Sequence, residues 1–173
     1  AAEAVGIKPI AGADLVVSAG PGVAPWRLTA LCRDHRGYLN LSRLLTRAWM
    51  EGHRAEGGVV VTPAWIKDCG EGLVLLAGRE SLAGRLAAEH RHDLAEQQLA
   101  DWQRAFDGNL CLELVRTGRD GEEAFNAFAL HASAARGIPV VASNDVRFLD
   151  AAGFDAHEAR VCIASGRVLD DPK

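Results

Sequence analysis

No apolar stretch in this sequence approaches the ~20 residues of a membrane span, and no basic-then-apolar opening marks a secretory signal. Neither membrane residence nor export is therefore expected. An excess of positive charge is also missing: the formal net charge is −4, so no global basic field draws the chain to nucleic acid. Any service to DNA is expected through something attached to it. Close cysteine pairs are absent too, since Cys32, Cys69, Cys111 and Cys162 stand far apart. That spacing excludes a zinc ribbon and a dense disulfide scaffold. The four are read as reduced, mostly buried small hydrophobes of a cytoplasmic protein. An initiator Met is lacking, Ala1 to Gly6 reads as the last turn of a helix with its closing glycine, and the chain stops at Leu169-Asp170-Asp171-Pro172-Lys173. Both ends look cut, and a fragment of something longer is expected.

What remains is ordinary globular material: 173 residues, 49% of them hydrophobic and 24% charged, with no repeat and no low-complexity tract. That length holds one domain over residues 1–173 with a sizeable core. Ile7 to Ile10, Leu15 to Val17 and Leu28 to Cys32 read as short strands, the last two separated by a turn rich in Gly and Pro. Tyr38, Leu41, Leu44, Leu45, Ala48 and Trp49 recur at helical steps, and Thr62-Pro63 opens a short helix with Thr as N-cap. Leu73 to Leu76 and Leu110 to Val115 read as strands. Helices are expected at about Ser81 to His90, Leu94 to Phe106, Ala124 to Arg136 and Asp155 to Ala164. Ile138 to Ala142 forms the last strand. Alternation of this kind predicts an α/β fold with mostly parallel strands.

In such folds function collects at the C-terminal ends of strands. The strand at 110–115 runs into Arg116 and Thr117, that at 138–142 into Asn144, Asp145 and Arg147, and Asp14 could join them. His90-Arg91-His92 mimics a metal motif but sits in a polar helical stretch, where residues two apart diverge, so it is read as a solvated pair. His157 and Glu158 read as a charge cluster at a helix start. Glu113 interrupts an apolar strand and is expected to pair with Arg116 or Arg119. The tryptophans Trp26, Trp49, Trp65 and Trp102 read as core rather than base-stacking platforms.

At these residues the sequence resembles a known family. Gly6-Ile7-Lys8-Pro9-Ile10-Ala11-Gly12-Ala13-Asp14 resembles the GIKPIxGAD segment of the PHP domain of bacterial polymerase III alpha subunits. Gly37-Tyr38-Leu39-Asn40-Leu41 is similar to that family's GYxNL, and Leu112 to Arg119 to its LELxRTGR. Pro139 to Phe148 matches PVVAxNDVRF, and Phe154 to Glu158 and Leu169 to Pro172 complete the order. The resemblance implies a PHP-type distorted β/α barrel, incomplete because the N-terminal strand or strands are missing. Active PHP enzymes gather His, Asp and Glu around two or three metal ions that activate water and clamp phosphoryl oxygens.

Against that pattern the sequence falls short. Where active members of the family place histidines, it carries Arg27, Thr117 and Arg147, and only Asp14 and Asp145 remain as plausible ligands. Two unit charges ~4 Å apart interact by about 4 kcal/mol at an effective dielectric near 20. An arginine in a ligand's place therefore opposes a cation. Asp14, Arg27, Thr117, Asp145 and Arg147 are accordingly read as a vestigial metal cleft, with the arginines paired to the aspartates, no catalytic residue and no metal. The resemblance further implies a parent that synthesises DNA on a template with Mg in a palm outside these residues. This segment would then serve as scaffold and docking surface for the proofreading exonuclease, with other replicase subunits as indirect partners and DNA contacted elsewhere in the parent. The competing expectation is a free-standing metal-dependent PHP phosphoesterase using Asp14 and Asp145, with His157 as a further candidate.

Overall fold

The computed structural model describes residues 3–20, 22–54, 58–144 and 146–169. They fall into two compact units, residues 1–143 and 144–173. The first is built on a five-stranded sheet of β1 (Gly12–Val17), β2 (Trp26–Cys32), β3 (Leu73–Ala77), β4 (Leu110–Val115) and β5 (Val140–Ser143), neighbours in that order. The helices α1 (His35–Glu51), α2 (Pro63–Asp68), α3 (Leu82–Ala88), α4 (His92–Ala105) and α5 (Glu122–Arg136) fill the connections.

The α/β reading holds, but the sheet is mixed: β1–β2 and β2–β3 are antiparallel, β3–β4 and β4–β5 parallel. The expectation of mostly parallel strands fails at β2. This strand returns against β1 after the Gly- and Pro-rich turn, and β3 then comes in against it. The expected strand at Ile7 to Ile10 is not one. Those residues pair with no strand among the described residues, and Ile7 and Ile10 are exposed.

Helix starts follow local chemistry. The Asp34 carboxylate accepts the Gly37 N–H at 2.9 Å at the head of α1, Thr62 Oγ1 accepts that of Trp65 at 3.2 Å, and Ser81 Oγ that of Gly84 at 3.0 Å. Each such cap is worth about 1 kcal/mol. Gly137 ends α5 at φ 68°, a conformation that costs a side-chain-bearing residue more.

One face of the sheet carries the core. Leu15, Val17, Trp26, Leu28, Ala30, Leu73, Leu75, Ala77, Leu110 and Leu112 pack with Leu41, Leu44, Ala48, Leu99, Phe125 and Ala129 from the helices. Period-two alternation sends the remaining side chains to the other face: Asp14 and Val16, then Arg27, Thr29 and Leu31, then Val74 and Leu76, then Cys111, Glu113 and Val115, then Val141 and Ser143. None of these belongs to the helix-side core. Strands apolar on both faces are the pattern of a sheet covered on both sides, consistent with a partial PHP-type barrel.

The second unit holds a 3₁₀ turn (Ala151–Gly153) and α6 (Phe154–Ser165), closed by Gly166 at φ 67°. None of the residues of α6 is buried.

Two expectations about side chains are corrected. The four cysteines are free as expected, yet each is only half-buried. Burial still pushes the thiols of Cys32, Cys69 and Cys111 up from their ordinary range, away from reactivity. Of the tryptophans, Trp26 and Trp102 are core, but Trp49 is 64% exposed. It lies at the edge of the apolar stripe of α1, past the arc that meets the sheet.

Candidate functional site

The helix-free face of the sheet brings two of the expected site residues, Asp14 and Arg27, to one surface. Asp14 in β1 lies opposite Thr29 in β2, and the Thr29 hydroxyl donates to Asp14 Oδ1 at 2.6 Å. Arg27 lies opposite Val16, one pleat further along the same face and diagonal to Asp14. Its backbone N–H donates to the carbonyl of Glu80 in the loop after β3, at 2.9 Å. Asp14 thus hydrogen-bonds a hydroxyl, and the expected ion pair with Arg27 does not form, although register puts the two residues on one face.

Thr117, at the end of β4, is tied elsewhere. Its hydroxyl donates to Glu122 Oε1 at 2.6 Å, its N–H to Glu122 Oε2 at 2.7 Å, and the Gly118 N–H joins at 2.9 Å. Glu122 sits in the first turn of α5 and is 5% exposed. The Thr117 hydroxyl first, then the backbone N–H groups, hold its carboxyl below the usual range. Gly118 and Gly121, at φ 84° and 80°, let the loop curl tightly enough for these donors to converge.

Glu122 is a residue the sequence reading missed. The signal was present as a carboxylate in the first turn of a helix, downstream of a Thr-Gly pair, a longer-range relative of the capping box.

Glu113 corrects another expectation. It is half-buried on the helix-free face, and the Ser143 hydroxyl donates to its Oε1 at 2.6 Å, across the β4–β5 pair. Arg116 instead pairs with Glu123 at 3.4 Å, because successive strand positions point to opposite faces and the chain turns outward after Val115. The other carboxylate oxygen of Glu113 lies over Gly78, where a Cβ would meet it at 2.7 Å. A side chain at Gly78 would make this carboxylate swing aside.

Asp145 lies outside the described residues, and Arg147 belongs to the second unit. There His157 Nδ1 lies 3.1 Å from the Arg160 guanidinium and its ring packs on Phe148, a local arrangement of the kind expected at a helix start. His92 stacks on Phe128 and His90 occupies a turn at φ 59°. Both are exposed, as a solvated pair would be.

Metal chemistry of the PHP kind needs a dense donor set. Among the described residues, no three His, Cys, Asp or Glu side chains come together to hold an ion. Asp14 is bonded to Thr29, a guanidinium shares its surface, and the Thr117 position offers a hydroxyl engaged by Glu122. Asp14, Arg27 and Thr117 thus supply one carboxylate, one guanidinium and one hydroxyl.

Comparison with known proteins gives these positions a context. The PHP domain family profile matches residues 1–117. Along its whole length the chain is 66% identical to the DNA polymerase III subunit alpha of Xylella fastidiosa strain 9a5c, over 173 residues. It is 42% identical over 175 residues to that of Escherichia coli K12 and 37% identical over 170 residues, 97% of the chain, to that of Vibrio cholerae. The chain spans 14% of the length of the Xylella relative and 15% of the other two.

Proposed function

The chain belongs to the PHP domain family, and from that membership we propose that it is the PHP segment of a bacterial replicative DNA polymerase alpha subunit. The observation that carries this reading is the 66% identity sustained over every residue of the chain to a polymerase subunit of which it spans 14%. The parent would perform template-directed DNA synthesis in the cytoplasm, using Mg ions in a site outside these residues. The segment itself catalyses nothing. It acts as scaffold and as docking surface for the proofreading exonuclease, and the parent carries the contacts to DNA and to the other replicase subunits. The donor set supports the non-catalytic role: Asp14, Arg27 and Thr117 present one carboxylate, one fixed cation and one hydroxyl where a phosphoesterase needs several neutral imidazoles and carboxylates.

The test is to purify the native polypeptide with an antibody raised against this segment. A subunit-length polypeptide that extends a primer and co-purifies with an exonuclease is the expected result. An 18.4 kDa polypeptide with metal-dependent phosphoesterase turnover, lost in Asp14→Ala, would establish the free-standing enzyme instead.

A further inference from the structure

The side of α1 turned away from the sheet is apolar as well. Gly37, Asn40, Leu41, Leu44 and Ala48 are its buried residues, yet Tyr38 is 53%, Met50 76% and Leu39 39% exposed, alongside Trp49. At about 100° per residue, Tyr38 and Trp49 fall on one side of a strip and Leu39 and Met50 on the other, with Ser42 and Thr46 between. Both hydroxyls turn back onto their own helix, each 2.8 Å from a backbone carbonyl oxygen, Tyr38 for Ser42 and Ser42 for Thr46. The strip therefore makes little demand on water. Beyond His35, which stacks on Tyr38 at the head of the strip, it is a channel with a floor of small side chains and walls of aromatic and aliphatic ones, the relief into which a ridge of a second helix fits. Arg36, Arg43 and Arg47 follow one another along the margin beyond Met50. Arg36 pairs with Glu71 at 3.5 Å and Arg47 with Glu51 at 3.1 Å, whereas Arg43 donates to Asn40 Oδ1 and faces no carboxylate among the described residues. Trp, Tyr, Met and Arg are the residues that anchor interfaces.

We propose that this face of α1 seats a helix from the remainder of a polymerase-length polypeptide, apolar toward Tyr38, Trp49 and Met50 and carboxylate-bearing toward Arg43. The inference rests on the reading of the chain as a segment of such a subunit. In the relatives, the span matched by this chain is 14–15% of the polypeptide, so most of a subunit of that length is available to supply the helix. A second copy of the chain fits less well. A twofold contact would set α1 against itself, bringing three arginines toward their mates with Glu51 and Glu71 to offset two of them and Arg43 left facing its own copy.

The experiment places a photoreactive phenylalanine analogue at position 49 of the intact subunit, with the same substitution at Leu130 as reference. Leu130 is 52% exposed and stands alone as a large apolar residue on its side of α5. Expected are crosslinks from position 49 to peptides of the same polypeptide outside this segment, at a yield several-fold above position 130. Loss of that yield on Met50→Glu, with position 130 unchanged, would support the inference further. Crosslinks to a second copy, to a separate protein alone, or at no higher yield than at position 130 would overturn it. A native polypeptide no longer than this chain would overturn the reading beneath it, a distinct outcome visible in the intact mass.

Discussion

Glu122 shows how much one side chain can organise. A buried carboxylate is costly unless its oxygens are occupied, and here three donors from Thr117 and Gly118 occupy them. The donors depress its pKa, so the stability it contributes is present above the unfolded carboxyl value near 4.3 and is lost as pH falls through the lower folded value. Asp34 at the head of α1 adds to the same window, its carboxyl lowered chiefly by the Gly37 N–H. Thermal unfolding followed against pH is expected to show Glu122→Gln well below the wild type near neutrality, the two curves converging only as pH falls through the lowered carboxyl of Glu122. A gap that persists unchanged into acid would mean that shape, rather than charge, is what Glu122 supplies. Thr117→Val is expected to lower the melting temperature in the same direction and to lift the Glu122 pKa toward its ordinary value, readable by carboxyl NMR titration.

Between elements, contact is closest where α1 meets the turn that leads into β3. A Cβ on Gly37 would lie 1.9 Å from the Gly72 carbonyl oxygen, and Gly72 itself sits at φ 77°. Gly37→Ala must therefore push the helix off the sheet, and a loss of at least about 1–3 kcal/mol is expected from the urea midpoint. Leu112→Ala, at a fully buried position in β4, is expected to cost about 2–5 kcal/mol by the same measurement. Elements of this kind were legible in the sequence when their signal was local. Thr62-Pro63 announced α2, Gly137 and Gly166 closed α5 and α6, and the apolar repeat of α1 marked its inner face. What depended on distant pairing was not legible. Residues 7–10 have a strand's composition but no partner strand among the described residues, and the antiparallel placement of β2 is set by how its neighbours fold back. At the candidate site, sequence placed Asp14 and Arg27 on a common surface. It did not foresee Thr29 as the partner of Asp14, because register decides which residues face each other. Nor did it foresee Ser143 as the partner of Glu113, for the same reason.

One face of the sheet is packed under helices and the other is only partly covered. Buried Leu76, half-buried Val74, Cys111 and Val115, and the more exposed Val141 line that helix-free face, where Asp14–Thr29 and Glu113–Ser143 supply pairs of polar groups. Made by itself, the 173-residue chain is expected to associate through this face and its strand edges, with sedimentation coefficients rising with concentration. Val141→Lys, placing a charge on that face at β5, is expected to shift the population toward monomer. A wild-type chain that sediments identically at every concentration would show the face to be stable bare. The opposite edge, at β1, carries a different consequence. The Val61 N–H donates to the Val16 carbonyl oxygen and the Ser18 N–H to that of Val61, both at 2.9 Å, so the far half of that edge is already taken. The outward groups of Gly12 and Asp14 are what the near half offers. A strand sliding along β1 would meet Val61 as a shoulder and stop there, so its alignment would be dictated by an obstacle rather than chosen among equivalent pairings.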